Sequence, residues 1–312
     1  MKRIRGAYNH MDSKKSSTNV IQIAKRIGER NQVAAKENQH RTTSATRVIA
    51  ITSGKGGVGK TNIVANLGYT LATQGKKVLI LDADWGLGNL DVLLGLAPRY
   101  NLSHVIAGEK SIPDVIVNGP GDMKILPASS GIQELTSLTF EQKVRVLTQL
   151  DLLVDSVDIL LIDTAAGIST NVMDFNVTAQ EIMVVVSPEP TSLTDAYALM
   201  KVLSLKYAEK NCKLLVNQAA DVQEALEIYR QLDTVVKKFL DISIEYIGCV
   251  LYDDKVPRGV RRQKIVTDLY PGCRASRCFS ALAKRIASLP ASKLPVGDSN
   301  FFWDHLYTNK LA

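Results

Sequence analysis

Eight consecutive residues hold the densest chemistry in this chain. Gly54-Lys55-Gly56-Gly57-Val58-Gly59-Lys60-Thr61 satisfy the pattern G-x-x-x-x-G-K-[ST]. A chance match in a chain of this size is on the order of one in a hundred. Glycines allow backbone N–H groups to turn inward around phosphate oxygens without Cβ clashes. Lys60 supplies a point charge to β- and γ-phosphates, and Thr61 a hydroxyl to Mg²⁺. Asn62 follows in the first helical turn and joins the candidate nucleotide contacts. A plain glycine-rich turn is the competing reading.

The flanking residues decide between the two. Val48–Thr52 is a short apolar, β-branched run and predicts a buried strand. A helix is predicted from about Lys60 to Gln74 and closed by Gly75, and Val78–Leu81 starts the next strand. A glycine-rich loop between a strand and a helix N-terminus is an anion site by construction. Further buried strands are predicted at Ile159–Ile162, Ile182–Val186, Leu214–Val216 and Tyr246–Leu251. Helices are predicted at Phe140–Val154, Leu193–Ala208, Val222–Leu240 and Ser276–Ser288. This alternation predicts an α/β fold with a doubly wound, mostly parallel sheet of the P-loop NTPase kind. Carboxylates follow two of these strands, in Leu81-Asp82-Ala83-Asp84 and in Leu161-Ile162-Asp163-Thr164. That is the edge where open α/β sheets bind ligands. Val216-Asn217-Gln218 ends a later strand, where Asn217 is either a ligand contact or a turn former.

Charge separates the chain into parts. The net charge is +7, but residues 1–47 hold 11 Lys/Arg against 3 Asp/Glu, leaving 27 against 28 in the remainder. The basicity belongs to an N-terminal arm, not to the body. Residues 1–46 read as flexible, apart from Val20, Ile23, Ala24 and Ile27 at helical spacing, with Ser17, Thr18 or Asn19 to cap them. Such an arm is either a solvated tail or a contact for nucleic acid, an acidic partner or anionic lipid. Residues 47–290 form the expected catalytic domain, and 291–312 a linker and a last segment. Phe302, Trp303, Leu306 and Tyr307 fall on one helical face there, with Asp304, His305 and Thr308 opposite. That face suits a membrane interface or a return onto the body. No apolar run approaches a bilayer span, no apolar stretch follows the basic N-terminus, and four scattered cysteines fit no disulfide framework. A cytoplasmic protein is expected.

The sequence Lys55-Gly56-Gly57-Val58-Gly59-Lys60-Thr61 resembles the deviant Walker A motif of the MinD/ParA family. The resemblance implies that Lys55 reaches the phosphates of nucleotide held by a partner subunit, hence a homodimer that sandwiches ATP. It makes Lys55, Lys60 and Asp84 the catalytic set, with Asp84 positioning the attacking water in a switch I segment continuing through Asp91. It makes Thr61, Asp84 and Asp163 the Mg²⁺ set, with Asp163 in a Walker B and switch II segment that runs to Gly167. Asn217 matches the position that reads adenine. ATP or ADP and Mg²⁺ are therefore the implied cofactors.

Other stretches resemble the FlhG/FleN branch of MinD-like ATPases, which regulate flagellar number and placement. They are Ser187-Pro188-Glu189-Pro190-Thr191-Ser192, Tyr252-Asp253-Asp254, Val260-Arg261-Arg262-Gln263-Lys264 and Asp268-Leu269-Tyr270-Pro271. The branch implies slow, partner-stimulated ATP hydrolysis. It implies a FlhF-type GTPase or an AAA+ flagellar transcription activator of the FleQ type as partner. It also implies peripheral attachment to the inner face of the cell membrane, at a pole. The Asp-Gln-Ala tripeptide that stimulates the GTPase in many FlhG proteins does not occur here, which leaves that output open. Cell-division MinD and ParA-like DNA partitioning are the alternatives. Arg258, Arg261, Arg262 and Lys264 form a basic cluster that could touch DNA, but four positive residues on a turn are more often a solvated face or a partner contact. Direct DNA binding is therefore not expected.

Overall fold

Every residue of Arg47–Ser53 is buried, which a strand achieves only where both faces of its sheet are covered. The structure is a computed structural model that describes residues 46–85, 88–128, 139–154 and 156–289. Among these, eight strands form one sheet: β1 (Arg47–Ser53), β2 (Val78–Ala83), β3 (Val117–Asn118), β4 (Lys124–Leu126), β5 (Ile159–Ala166), β6 (Glu181–Val186), β7 (Asn211–Ala219) and β8 (Ser243–Leu251). Their spatial order is β3-β4-β2-β5-β1-β6-β7-β8, and all pairs are parallel except β3 with β4. The main helices are α1 (Lys60–Thr73), α2 (Phe140–Val154), α3 (Thr170–Thr178), α4 (Pro190–Tyr207), α5 (Val222–Phe239) and α6 (Arg274–Ser288). The doubly wound α/β reading of the sequence therefore holds.

Alternation along the strands sorts the side chains into layers. Ile49, Ile51, Ile80 and Leu161 face α1 and α6, where Leu67, Leu71, Phe279 and Ile286 complete one core. Val48, Ala50, Leu160 and Ile162 face the other way, toward Val146 and Leu150 of α2 and the short helix Leu102–Ala107. Val184, Val186, Leu214 and Val216 continue that second layer beneath α4 and α5. Each fully buried Leu, Ile or Phe contributes about 1.5–3 kcal/mol, so the central strands are the most secured part of the molecule.

The predicted elements are present, with shifted ends. α4 begins at Pro190 rather than Leu193, because proline suits the first helical position, and it stops at Ala208, whose φ is 55°. α6 begins at Arg274, two residues before the predicted Ser276. The helix α3 and the strands β3 and β4 were not predicted: the strands are too short to carry a period, and α3 mixes Asn, Asp and Thr among its apolar residues. No helix among the described residues is long and apolar enough to cross a membrane. The expected arm helix and C-terminal segment lie outside the described residues.

Arg47 ties the two ends of the body together. Its Nε lies 2.8 Å from Glu181, Nη1 donates to the Ile286 carbonyl, and Nη2 donates to the Leu289 carbonyl at 2.7 Å. Those carbonyls belong to the C-terminal end of α6, so one guanidinium both pairs with a buried carboxylate and caps a helix. Removing Arg47 leaves Glu181 with Lys213 alone, 3.5 Å away, and leaves two helix-end carbonyls without their donor. Arg47→Ala should therefore lose about 3 kcal/mol of stability in urea titration, as expected for a broken buried pair. A loss no larger than that of an exposed substitution would contradict this.

Candidate functional site

β1 is the switch point of the sheet: the chain turns to one side to form β2 and later to the other to form β6. The crevice at the carboxyl end of such a strand is where open α/β sheets take ligands. Residues 54–59 occupy it. Gly57 and Gly59 have φ of 80° and 93°, values a β-substituted residue rarely adopts. Gly54 is required for another reason, since a Cβ there would lie 2.1 Å from the Asp195 carbonyl oxygen of α4. The N-cap of α1 is Gly59, with no side chain closing the helix. The first-turn N–H groups are thus left for a ligand, at the positive end of the helix dipole.

Charged side chains converge below the loop. Lys60 is 9% exposed and its Nζ donates to Ser53 Oγ at 2.9 Å. Burial pulls its ammonium below the ordinary lysine range, against the opposing pull of Asp163 and Asp84. Asp82 and Asp163 are paired in register on adjacent strands and each is 2% exposed. Burial is the main cause that pushes the Asp163 carboxyl up to about 7; Thr61, through a hydrogen bond, and Lys60 hold it down, and Asp84 adds to the rise. Burial, and then Asp163, push Asp82 well above the carboxylate range, although Asp82 accepts the N–H groups of Asp84 at 3.2 Å and Leu90 at 3.3 Å.

The predicted residues thus gather in one place: Gly54 to Thr61 as the loop, Asp84 and Asp163 beside Lys60. Asn62 lies half-buried in the first turn of α1, its carbonyl accepting from the Asn66 amide at 2.8 Å. Asn217 comes from the end of β7 to the underside of the loop, where its Nδ2 donates to the Val58 carbonyl at 2.7 Å. Lys55 turns away from the crevice, onto Glu189 and onto Thr191 Oγ1 at 2.8 Å, both at the start of α4. Beyond Asp163, the Gly167 N–H donates to the Ser53 carbonyl at 2.9 Å.

Sequence reading did not assign Asp82, Ser53, Glu189 or Thr191. Asp82 had a signal, since residues 82 and 84 fall on the same side of an extended chain. Glu189 had none, because it meets Lys55 from 134 positions away.

The donor set fits a magnesium nucleotide. Asp163 Oδ1 is buried with no hydrogen-bond partner, which marks it as aimed at something outside the chain. No group of three or more His, Cys, Asp or Glu among the described residues forms a protein-only metal cage. Mg²⁺ held with substrate phosphates asks only for one or two protein ligands and its own waters.

The AAA domain family matches residues 46–216. The antiactivator FleN of Pseudomonas aeruginosa is 42% identical over 260 residues, which are 83% of this chain and 93% of that protein. The chain belongs to the MinD-like ATPases, in their FleN/FlhG branch. The flagellum site-determining protein YlxH of Helicobacter pylori is 34% identical over 253 residues, 81% of this chain and 84% of that one. Among solved structures, the MinD cell division protein of Aquifex aeolicus is 28% identical with a TM-score of 0.64, covering 81% of this chain and 100% of that one.

The raised carboxyl has a consequence for stability. A carboxyl whose folded pKa lies above its unfolded value, about 3.9, binds more protons when folded, so its stabilisation is complete below the unfolded pKa and is lost as pH rises through the folded one. For Asp163 that window runs up to about 7. In urea titrations without metal or nucleotide, the wild type should lose stability relative to Asp163→Asn as pH climbs through this window. A constant difference across the window would refute the burial of that charge.

Proposed function

We propose that the loop Gly54–Thr61 binds Mg-ATP and that the chain hydrolyses it slowly, as the switch of a regulator of flagellar number and placement. The observation that carries this is the convergence of the loop, Lys60, Asp84 and the unpartnered Asp163 oxygen at one strand edge. The names of the two flagellar relatives support the cellular role.

In this reading the loop N–H groups and Lys60 neutralise phosphate charge, which is also what makes a buried ammonium beside two carboxylates tolerable. Thr61 and Asp163 would hold Mg²⁺, and Asp84 would orient the attacking water and accept a hydrogen bond from it. The metal, when bound, neutralises charge that develops on the transferred phosphoryl group. Asn217 holds the loop from beneath and faces the base. Lys55 leaves Glu189 and Thr191 to reach the phosphates of a second copy, which gives an ATP-sandwich dimer. The outputs follow the branch: a FlhF-type GTPase or a FleQ-type AAA+ activator as partner, and a membrane surface met by residues 291–312. The chain then works in the cytoplasm and at the inner face of the cell membrane, toward a pole. Division-site placement is the second reading, favoured by the MinD fold neighbour. Altered flagellar counts in a deletion strain support the first, and minicells the second.

Lys60→Ala should abolish binding of a fluorescent ATP analogue, and unchanged affinity would remove the site. Asp84→Ala should keep ATP binding and lower turnover by roughly 10²–10⁴-fold, the range for a positioned general base. With hydrolysis stopped, that variant should elute as a dimer with ATP and Mg²⁺, whereas Lys55→Ala binds ATP and stays monomeric. A monomeric Asp84→Ala, or one that turns over normally, contradicts the roles.

A further inference from the structure

The segment Arg258–Lys264, the end of the short helix Lys255–Arg261 and the turn that follows it, has no part in the nucleotide chemistry. It carries Arg258, Arg261, Arg262 and Lys264 with no carboxylate between them, and all four are exposed. Arg258 pairs with Asp254, while Arg261, Arg262 and Lys264 form no ion pair among the described residues. The backbone that presents them is fixed as a helix end. The Arg262 and Lys264 N–H groups both donate to the Gly259 carbonyl, at 2.9 and 3.1 Å, and Gln263 is held at a φ of 52°. A Cβ at the buried Gly259 would meet the Lys264 carbonyl oxygen at 2.7 Å.

The turn is also fastened on two sides. Gln263 Nε2 donates to the Val92 carbonyl at 3.0 Å, in the short helix Leu90–Leu93 that follows Asp84. Just beyond it, the Thr267 N–H and hydroxyl both reach Asn66 Oδ1 of α1, at 3.0 and 2.9 Å. Two large apolar side chains lie exposed in the same stretch of surface, Val92 at 54% and Val260 at 38%.

A pre-ordered basic surface costs less to bind than a flexible one. Its chemistry favours polypeptide over duplex DNA. DNA binding draws on many phosphate contacts over a broad basic face. Here residues 48–312 hold 27 Lys/Arg against 28 Asp/Glu, so the positive field is local, and the valines give it an apolar element.

We propose that the turn Arg258–Lys264, together with Val92, is the docking surface for an acidic segment of a partner protein that also carries apolar side chains. Docking there is coupled to nucleotide through Val92, which follows Asp84 in the chain, and through Asn66 of the helix that the phosphate loop opens. The docking half stands on the surface alone; the coupling half rests on the nucleotide reading above.

The test uses the full chain and a fluorescein-labelled peptide of Glu and Leu repeats, followed by anisotropy. Wild type should bind it in a salt-sensitive manner, and R261E/R262E/K264E should weaken binding by about tenfold or more. Exposed Lys237 and Lys238 on α5 provide the control, since K237E/K238E should bind as wild type. The triple variant should keep its basal ATP hydrolysis and its thermal melt. Equal binding by wild type and triple variant overturns the proposal. So does a labelled DNA duplex or a phosphatidylserine vesicle that binds in place of the peptide and is lost in the triple variant. Loss of ATP-dependent dimerisation in that variant also overturns it, because the surface would then be met by a second copy. Peptide affinity identical with ADP and with ATP overturns the coupling alone, and Lys60→Ala, which tests the nucleotide site separately, tells that result from failure of the site.

Discussion

Two carboxylates side by side in a dry place are the constraint on which this structure turns. Asp82 and Asp163 are register partners on neighbouring strands, both almost fully buried, with the Lys60 ammonium acting on Asp163. Burial is the main cause that raises both carboxyl pKa values, and the negative charge of Asp163 adds to the rise at Asp82. A protein interior normally avoids such an arrangement. It persists here because the surrounding sheet is held by layers of apolar side chains on both faces, which supply stability independently of the site. The carboxylate pair carries more negative charge than its buried surroundings favour, and a bound Mg²⁺ would supply the kind of charge it lacks.

From that pair, short connections run outward into the loops at the same edge of the sheet. Asp82 accepts from the backbone at both ends of the stretch 84–90, so the state of the carboxylate pair bears directly on that stretch. Gly167, after Asp163, is bonded to the last residue of β1. Asn217 reaches the loop from β7, and its amide nitrogen leaves only 2.5 Å for a Cβ at Gly59, so two elements distant in sequence close on one glycine. The contacts are hydrogen bonds of ordinary length between rigid strand ends.

The sequence disclosed those parts whose physical cause is local. Strands such as Ile182–Val186 were legible because continuous burial demands a continuous apolar run, and the loop because its glycines answer to backbone geometry within eight residues. α3 was not legible, since its buried Asn176 and Thr178 look like surface residues until their partners are known: Asn176 donates to Thr52 and Thr178 to Phe175. Asp82 was visible but carried no weight, because only the pairing of β2 with β5 sets it against Asp163. The resting place of Lys55 was invisible for the same reason. Its partners Glu189 and Thr191 were noticed as part of a branch-specific stretch, but contact between them depends on α4 starting next to the loop.

The positions of the chain ends bear on how a signal could leave the site. Arg47 opens β1 and holds the carbonyls of Ile286 and Leu289, so the start of the first strand and the end of α6 meet at one corner of the body. The phosphate loop lies at the other end of the same strand, roughly 20 Å away at about 3.3 Å per residue. Between them stands the best-packed part of the molecule, which is poorly suited to passing a local rearrangement along its length. Under the proposed mechanism the nucleotide need not reach that corner through the sheet. Dimerisation is enough, because two copies present two basic arms and two aromatic segments at once, and paired weak contacts with an anionic surface gain avidity of about 10²–10⁴-fold without any new contact. The number of copies then carries the information.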